Sequence, residues 1–140
     1  MILASRSDSG AKRVARAALA LLYVIAGVMH LVSPDIFVKI TPGWVPWPQQ
    51  VILATGMAEL AGALALAQPW SQGLRRLAGA ALALYALCVF PANIHHFAMD
   101  MARPDHGWGL AYHLPRMALQ PLLIWLALWS SGALPMRKRG

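Results

Sequence analysis

Residues 51–67 read VILATGMAELAGALALA, seventeen residues with a single charged side chain, Glu59. As a helix, such a stretch is about 26 Å long at about 1.5 Å rise per residue. Crossing a bilayer takes about 17–25 apolar residues, so 51–67 is just long enough. Three other stretches match it: 14–32, 77–97 and 117–134, of 19, 21 and 18 residues. The chain is 59% hydrophobic and 12% charged over 140 residues, whereas soluble domains carry about 25% charged residues. A soluble domain of this size has too little interior to hide so much apolar surface.

The basic residues give the expected orientation. If the four stretches cross in succession, one face carries Arg6, Lys12, Arg13, Arg16, Arg75, Arg76, Arg137, Lys138 and Arg139. The other face carries Lys39, Arg103 and Arg116. An excess of Lys and Arg marks the cytoplasmic side. The sequence therefore predicts an all-α protein of the inner cell membrane: a transmembrane four-helix bundle with both termini cytoplasmic. Residues 1–13 form a basic, mostly polar N-terminal segment, disordered or bound to the membrane surface, 14–134 the membrane domain and 135–140 a basic tail. The net charge of +7 flanks the spans, so membrane lipids, and not nucleic acid, are the expected partners. The first stretch resembles a signal peptide but is longer than the usual apolar segment, and is read as a retained span. Cys88, the single cysteine, forms no intramolecular disulfide and is expected to be buried in the third span.

The connections carry their own signals. Ser33-Pro34-Asp35 reads as a helix start, predicting a short interfacial helix over Pro34–Ile40 in the first outer loop. Thr41–Pro48, TPGWVPWP, has three prolines and no regular helix, with Trp44 and Trp47 as interfacial anchors or part of a lid. Ala58 and Gly62 form a small-xxx-small pair suited to close helix packing, within the bundle or in a homo-oligomer. Ala98–Leu114 is the second outer loop, and Pro115 reopens a helix.

Polar residues inside the spans need a reason to be there. A carboxylate at the depth of Glu59 costs several kcal/mol unless partnered. It either staples two helices or handles protons or a ligand. His30 ends the first span, Asn93 follows the helix-breaking Pro91, and Arg116 and Gln120 are i, i+4 at the start of the fourth. Each has a plain structural role: a helix-end group, a partner for the carbonyl freed by Pro91, a headgroup contact, or an ion pair of Arg116 with Glu59. The topology nevertheless gathers His30, Glu59, Asn93, Arg116 and Gln120 into the outer half, as a candidate ligand pocket. No comparable cluster falls on the basic side. The second outer loop is crowded with His and Met. His95, His96, Met99 and His113 are the lesser candidates for a copper or haem site, since the group has no Cys partner and no HxxxH pair.

Several ordered motifs have a familiar look: Gly27-x-x-His30, Pro34-x-x-Phe37, Ile40-x-Pro42-x-Trp44-x-Pro46, Gly56-x-x-Glu59, Val89-Phe90-Pro91-Ala92-Asn93-Ile94 and Leu114-Pro115-Arg116-x-x-Leu119-Gln120. Across roughly residues 15–131 this resembles the DoxX family of small four-helix membrane proteins. That resemblance implies membrane redox processes, with the chain as a quinone-facing or partner-organising subunit acting with a redox partner protein. Three functions follow from residues and resemblance together. The first is a redox-associated subunit with a quinone-type ligand in the outer pocket. The second is a non-enzymatic scaffold that recruits partner proteins, and the third is copper or haem handling.

Overall fold

The computed structural model describes residues 8–134, whose regular secondary structure is helical, with no strand among them. The five helices are α1 (Gly10–Val32), α2 (Pro34–Val38), α3 (Pro48–Ala67), α4 (Gln72–Met101) and α5 (Leu110–Ser131). The expectations for residues 1–7, Arg6 included, and for the basic tail at 135–140 lie outside the described residues.

Three helices, α1, α3 and α4, are long and apolar enough to cross a membrane. The predicted fourth span corresponds to α5, which is 22 residues long but is not one of the three. Arg116, Gln120, Pro115 and Pro121 lower its apolar character. Several helix ends also differ from expectation. Ser9 caps α1 by accepting the Lys12 N–H at 3.3 Å, so the helix takes in Lys12 and Arg13, ahead of the start at residue 14 that hydropathy predicts. α4 runs on to Met101, and α5 starts at Leu110, which puts Pro115 inside the helix instead of at its first turn. The second loop is correspondingly short. α2 stops at Val38, two residues before the predicted end.

α1 packs against α3 and α5, and α4 packs against the same two helices. Consecutive long helices run antiparallel, so residues 8 and 134 lie at one end, here called the basic end, while α2 and the 102–109 loop lie at the other, the loop end. The apolar core sits towards the basic end. It is built from Leu19, Ala20 and Tyr23 of α1, Ala63 and Leu66 of α3, Ala78, Leu82 and Ala83 of α4, and Ala127 of α5. The outward faces are apolar too: Val14, Leu21, Met57, Leu64, Leu77 and Leu84 each expose more than half of their surface. Cys88 is among the exposed residues, because helical periodicity turns Leu82, Ala83, Ala86 and Asn93 of α4 inward and leaves Cys88 on the opposite face.

The closest approach of α1 and α3 is at Gly27 and Gly56. A Cβ on Gly27 would meet the Gly56 carbonyl oxygen at 2.8 Å, and one on Gly56 would meet His30 Cβ at 2.9 Å. Neither helix could sit where it does with a larger residue there. Of the Ala58/Gly62 pair, Ala58 is exposed, while Gly62 receives Leu82 in a close contact of α3 with α4. Gly56→Ala should therefore lower stability in detergent by about 1–3 kcal/mol, the usual cost of overpacking. Gly73→Ala is the control, since its added Cβ would meet only Ser71 Oγ at 4.0 Å. Unfolding titrations of the two variants check this, and equal stability would refute the close-approach role of Gly56.

Candidate functional site

Glu59 stands eleven residues into α3, about 16 Å from its start at helical rise, and is only 3% exposed. Both of its carboxylate oxygens have partners. His30 Nδ1 of α1 lies 2.7 Å from Oε2, and the Tyr85 hydroxyl of α4 donates to Oε1 at 2.7 Å. His30 Nδ1 is also 2.9 Å from the Ala26 carbonyl oxygen. An unprotonated Nδ1 would set its lone pair against that carbonyl, so the proton belongs on Nδ1, between two acceptors. The Gly27/Gly56 crossing makes the contact: each glycine precedes its polar residue by three positions, nearly one turn, and the missing side chains let His30 reach Glu59. Phe37 of α2 packs on His30 with the rings tilted by 35° and their centroids 3.9 Å apart, closing the loop end over the pair.

On the facing side, Arg116 of α5 donates to Asn93 Oδ1 at 2.6 Å and to His96 Nδ1 at 2.9 Å. Its guanidinium also lies 5.4 Å from the centre of the Tyr112 ring, a cation–π distance. The suggested Arg116–Glu59 ion pair does not form among the described residues. Arg116 is taken by Asn93 and His96, and Glu59 by His30 and Tyr85. Asn93 accordingly faces Arg116 and not the carbonyl freed by Pro91.

Between the two groups is a cavity of about 270 Å³. His30, Glu59, Asn93, Arg116 and Gln120, the five residues singled out from the sequence, all line it. The rest of its wall is mainly apolar, with Leu22, Phe37, Val89, Leu119 and Leu123. Two polar atoms among its lining residues, Tyr23 Oη and Gln120 Oε1, are buried without a hydrogen-bond partner. Leaving such a group unpaired costs about 1–3 kcal/mol. Tyr85 was not anticipated. The signal for it was Glu59 itself, because a buried carboxylate calls for donors from neighbouring helices, and Tyr85 is the hydroxyl in the middle of the third span.

A second polar group adjoins the cavity through His96. Asp100, His96 and His113 place one potential ligand atom each within 4.8 Å of one another, all three residues buried. Asp100 Oδ2 is 2.8 Å from His113 Nε2 and accepts the Trp108 N–H at 3.0 Å. His96 Nε2 stands 3.6 Å away. Gly107, at φ +52°, presses against the Asp100 carboxyl group, leaving no room for a side chain. His95 and Met99 are not part of the group: His95 is half-buried, and Met99 is exposed. Asp100, which the sequence reading passed over, takes their place. Metal chemistry fits this group poorly. Arg116 donates to His96 Nδ1, so that nitrogen is bare and the proton of a neutral ring sits on Nε2, the atom facing Asp100. A metal at Nε2 needs the reverse tautomer. The three residues instead tie the 102–109 loop to α4 and α5.

Residues 19–131 match a family described as a domain of unknown function (DUF8561), and the chain belongs to that family. Neither a curated protein nor a solved structure matches it. The DoxX resemblance is corrected by this match. Glycines at helix crossings, prolines at helix starts and tryptophans at interfaces recur among membrane proteins for reasons of packing and solvation, so such motifs do not separate one family of small helical membrane proteins from another.

Asp100→Asn is expected to cost about 1–3 kcal/mol, because a neutral amide oxygen in the place of Oδ2 makes both hydrogen bonds without the charge that strengthens them. Hydrogen exchange at the Trp108 amide should quicken in the variant. Unchanged exchange there would mean that the loop is held by something other than Asp100.

Proposed function

We propose that this DUF8561 protein is an integral membrane protein whose long helices form a transmembrane four-helix bundle, and whose loop-end cavity binds a small quinone-type ligand. The membrane placement is supported by the apolar outward faces and by exposed tryptophans at both ends. Trp44, Trp47 and Trp108 project at the loop end and Trp70 at the basic end, as in aromatic belts. The distribution of Lys and Arg then favours a cytoplasmic basic end. α5 crosses with its polar residues turned to the cavity, which is the arrangement a bilayer requires of them.

The observation that carries the ligand reading is the pair of buried, unpartnered atoms on two residues that line the cavity, Tyr23 Oη and Gln120 Oε1. Tyr23 offers a donor, the Gln120 side chain can present either an oxygen or an amide, and Arg116 supplies positive charge. The walls between them suit an apolar ring. A quinone has this chemistry, a flat apolar body with an oxygen at each end. On two-electron reduction it takes up two protons, and Glu59 with His30 is the acid–base pair in place to exchange them. The electrons would come from a partner redox protein, as these side chains supply none.

A second reading has its own observation. Glu59 already has both oxygens hydrogen-bonded, so the polar residues could serve only to staple the helices of a scaffold. Binding of decylubiquinone to purified protein and to Glu59→Gln separates the two. The quinone reading expects binding by the wild type, weakened about tenfold in the variant, a loss of about 1.4 kcal/mol. Arg116→Gln should weaken it similarly. Negligible binding throughout, with Glu59→Gln merely melting at lower temperature, would leave the staple.

A further inference from the structure

The sequence places no site at the basic end, yet among the described residues a cavity larger than the loop-end one is there. It measures about 530 Å³ and is lined by Arg13 and Arg16 of α1, Arg75 of α4 and Asp8, with Ala67 and Pro69 among its apolar walls. Three cations and one carboxylate leave an excess of two positive charges around one opening. Arg16 is buried and fixed: its Nη1 donates to the Ser130 carbonyl at 2.8 Å and to Asp8 Oδ1 at 2.8 Å. Its hydrogen bond holds the Asp8 carboxyl below the usual carboxylate range, so Asp8 is ionised at neutral pH. Arg75 gives one N–H to Gln72 Oε1 at 2.9 Å and another, at 3.4 Å, to Asp8. Its Nε is buried with no acceptor. A guanidinium held in place with an N–H left over, beside two more cations, is the recognition chemistry of phosphate oxygens.

We propose that this cavity is a phosphate-binding site and that it takes the headgroup phosphate of an anionic phospholipid. The headgroup is favoured over a free anion by position. The cavity opens where α1 and α4 begin and α3 ends, which is the headgroup level if these helices cross a bilayer. Trp70, next to Pro69 and 79% exposed, suits that level as well. Ala67 and Pro69 give the apolar side that the glycerol and upper acyl carbons need. Basic pockets between helices on the cytoplasmic side bind such headgroups. A lipid held here would link α1 to α4, which do not otherwise pack on one another as they do on α3 and α5. The proposal rests on the membrane placement above and is independent of the loop-end cavity.

The test is native mass spectrometry of protein extracted from membranes into a non-ionic detergent and titrated with dioleoyl phosphatidylglycerol, dioleoyl phosphatidylcholine or inorganic phosphate. The anionic lipid should bind in preference to the zwitterionic one, and Arg75→Gln should weaken it about fivefold, as expected for one cation at the headgroup. Arg13→Gln, at an exposed position, should act in the same direction and serves if Arg75→Gln does not fold. Arg103→Gln, at the loop end, should change nothing. Equal binding of the two lipids, or equal loss in all three variants, overturns the site. Displacement of the lipid by millimolar inorganic phosphate overturns the headgroup assignment in favour of a free anion. Recovery of the protein in the soluble fraction would instead sink the membrane placement, and that is read before any lipid is added.

Discussion

Everything at the loop end depends on burying one carboxyl group in the middle of an apolar helix. Glu59 is only 3% exposed, and an isolated buried carboxylate would cost more than a protein of this size can spare. The chain meets that cost with two donors brought from two other helices, His30 and Tyr85. The His30 contact exists only because Gly27 and Gly56 let α1 and α3 touch backbone to backbone. Two missing side chains thus set a helix separation, and the separation sets a hydrogen bond.

The packing is divided along the helix axes. Towards the basic end, small and aliphatic residues close up into a core. Towards the loop end the helices carry longer polar side chains, which cannot interdigitate as Ala and Leu do. The interior there is a cavity bounded by hydrogen-bonded pairs. Arg116 links its wall to the 102–109 loop through His96, so the cation facing the cavity and the loop fold over Asp100 are parts of one network. A disturbance in the 102–109 loop therefore has a short physical route to the cavity.

Much of this arrangement was legible in the sequence, and the exceptions have physical causes. Charge and hydropathy located the long helices, since lengths and loop charges are one-dimensional properties. Antiparallel succession was enough to bring His30, Glu59, Asn93, Arg116 and Gln120 to the same end, where they line one cavity. Pairing was harder to read. Arg116 and Glu59 looked like natural partners by charge, but each found a nearer hydrogen-bonding group, and proximity is a property of packing. Asp100 was invisible because its partners, His113 of α5 and the Trp108 N–H, meet it only once the 102–109 loop has folded back on a positive-φ glycine. Helix ends drifted by several residues wherever a cap or a proline was tolerated in place. The basic-end cavity escaped notice because charges that set topology and charges that line a pocket look alike in sequence. The ordered motifs, finally, reflected general needs of membrane helices more than ancestry.

The central claim is that the Glu59 carboxyl group faces a ligand cavity and exchanges hydrogen bonds with what enters it. Infrared difference spectroscopy of the purified protein, with and without a bound quinone, reports that group directly. A carboxyl difference band that appears on binding and vanishes in Glu59→Gln is the predicted result. Quinone binding that leaves the carboxyl region unchanged would contradict it.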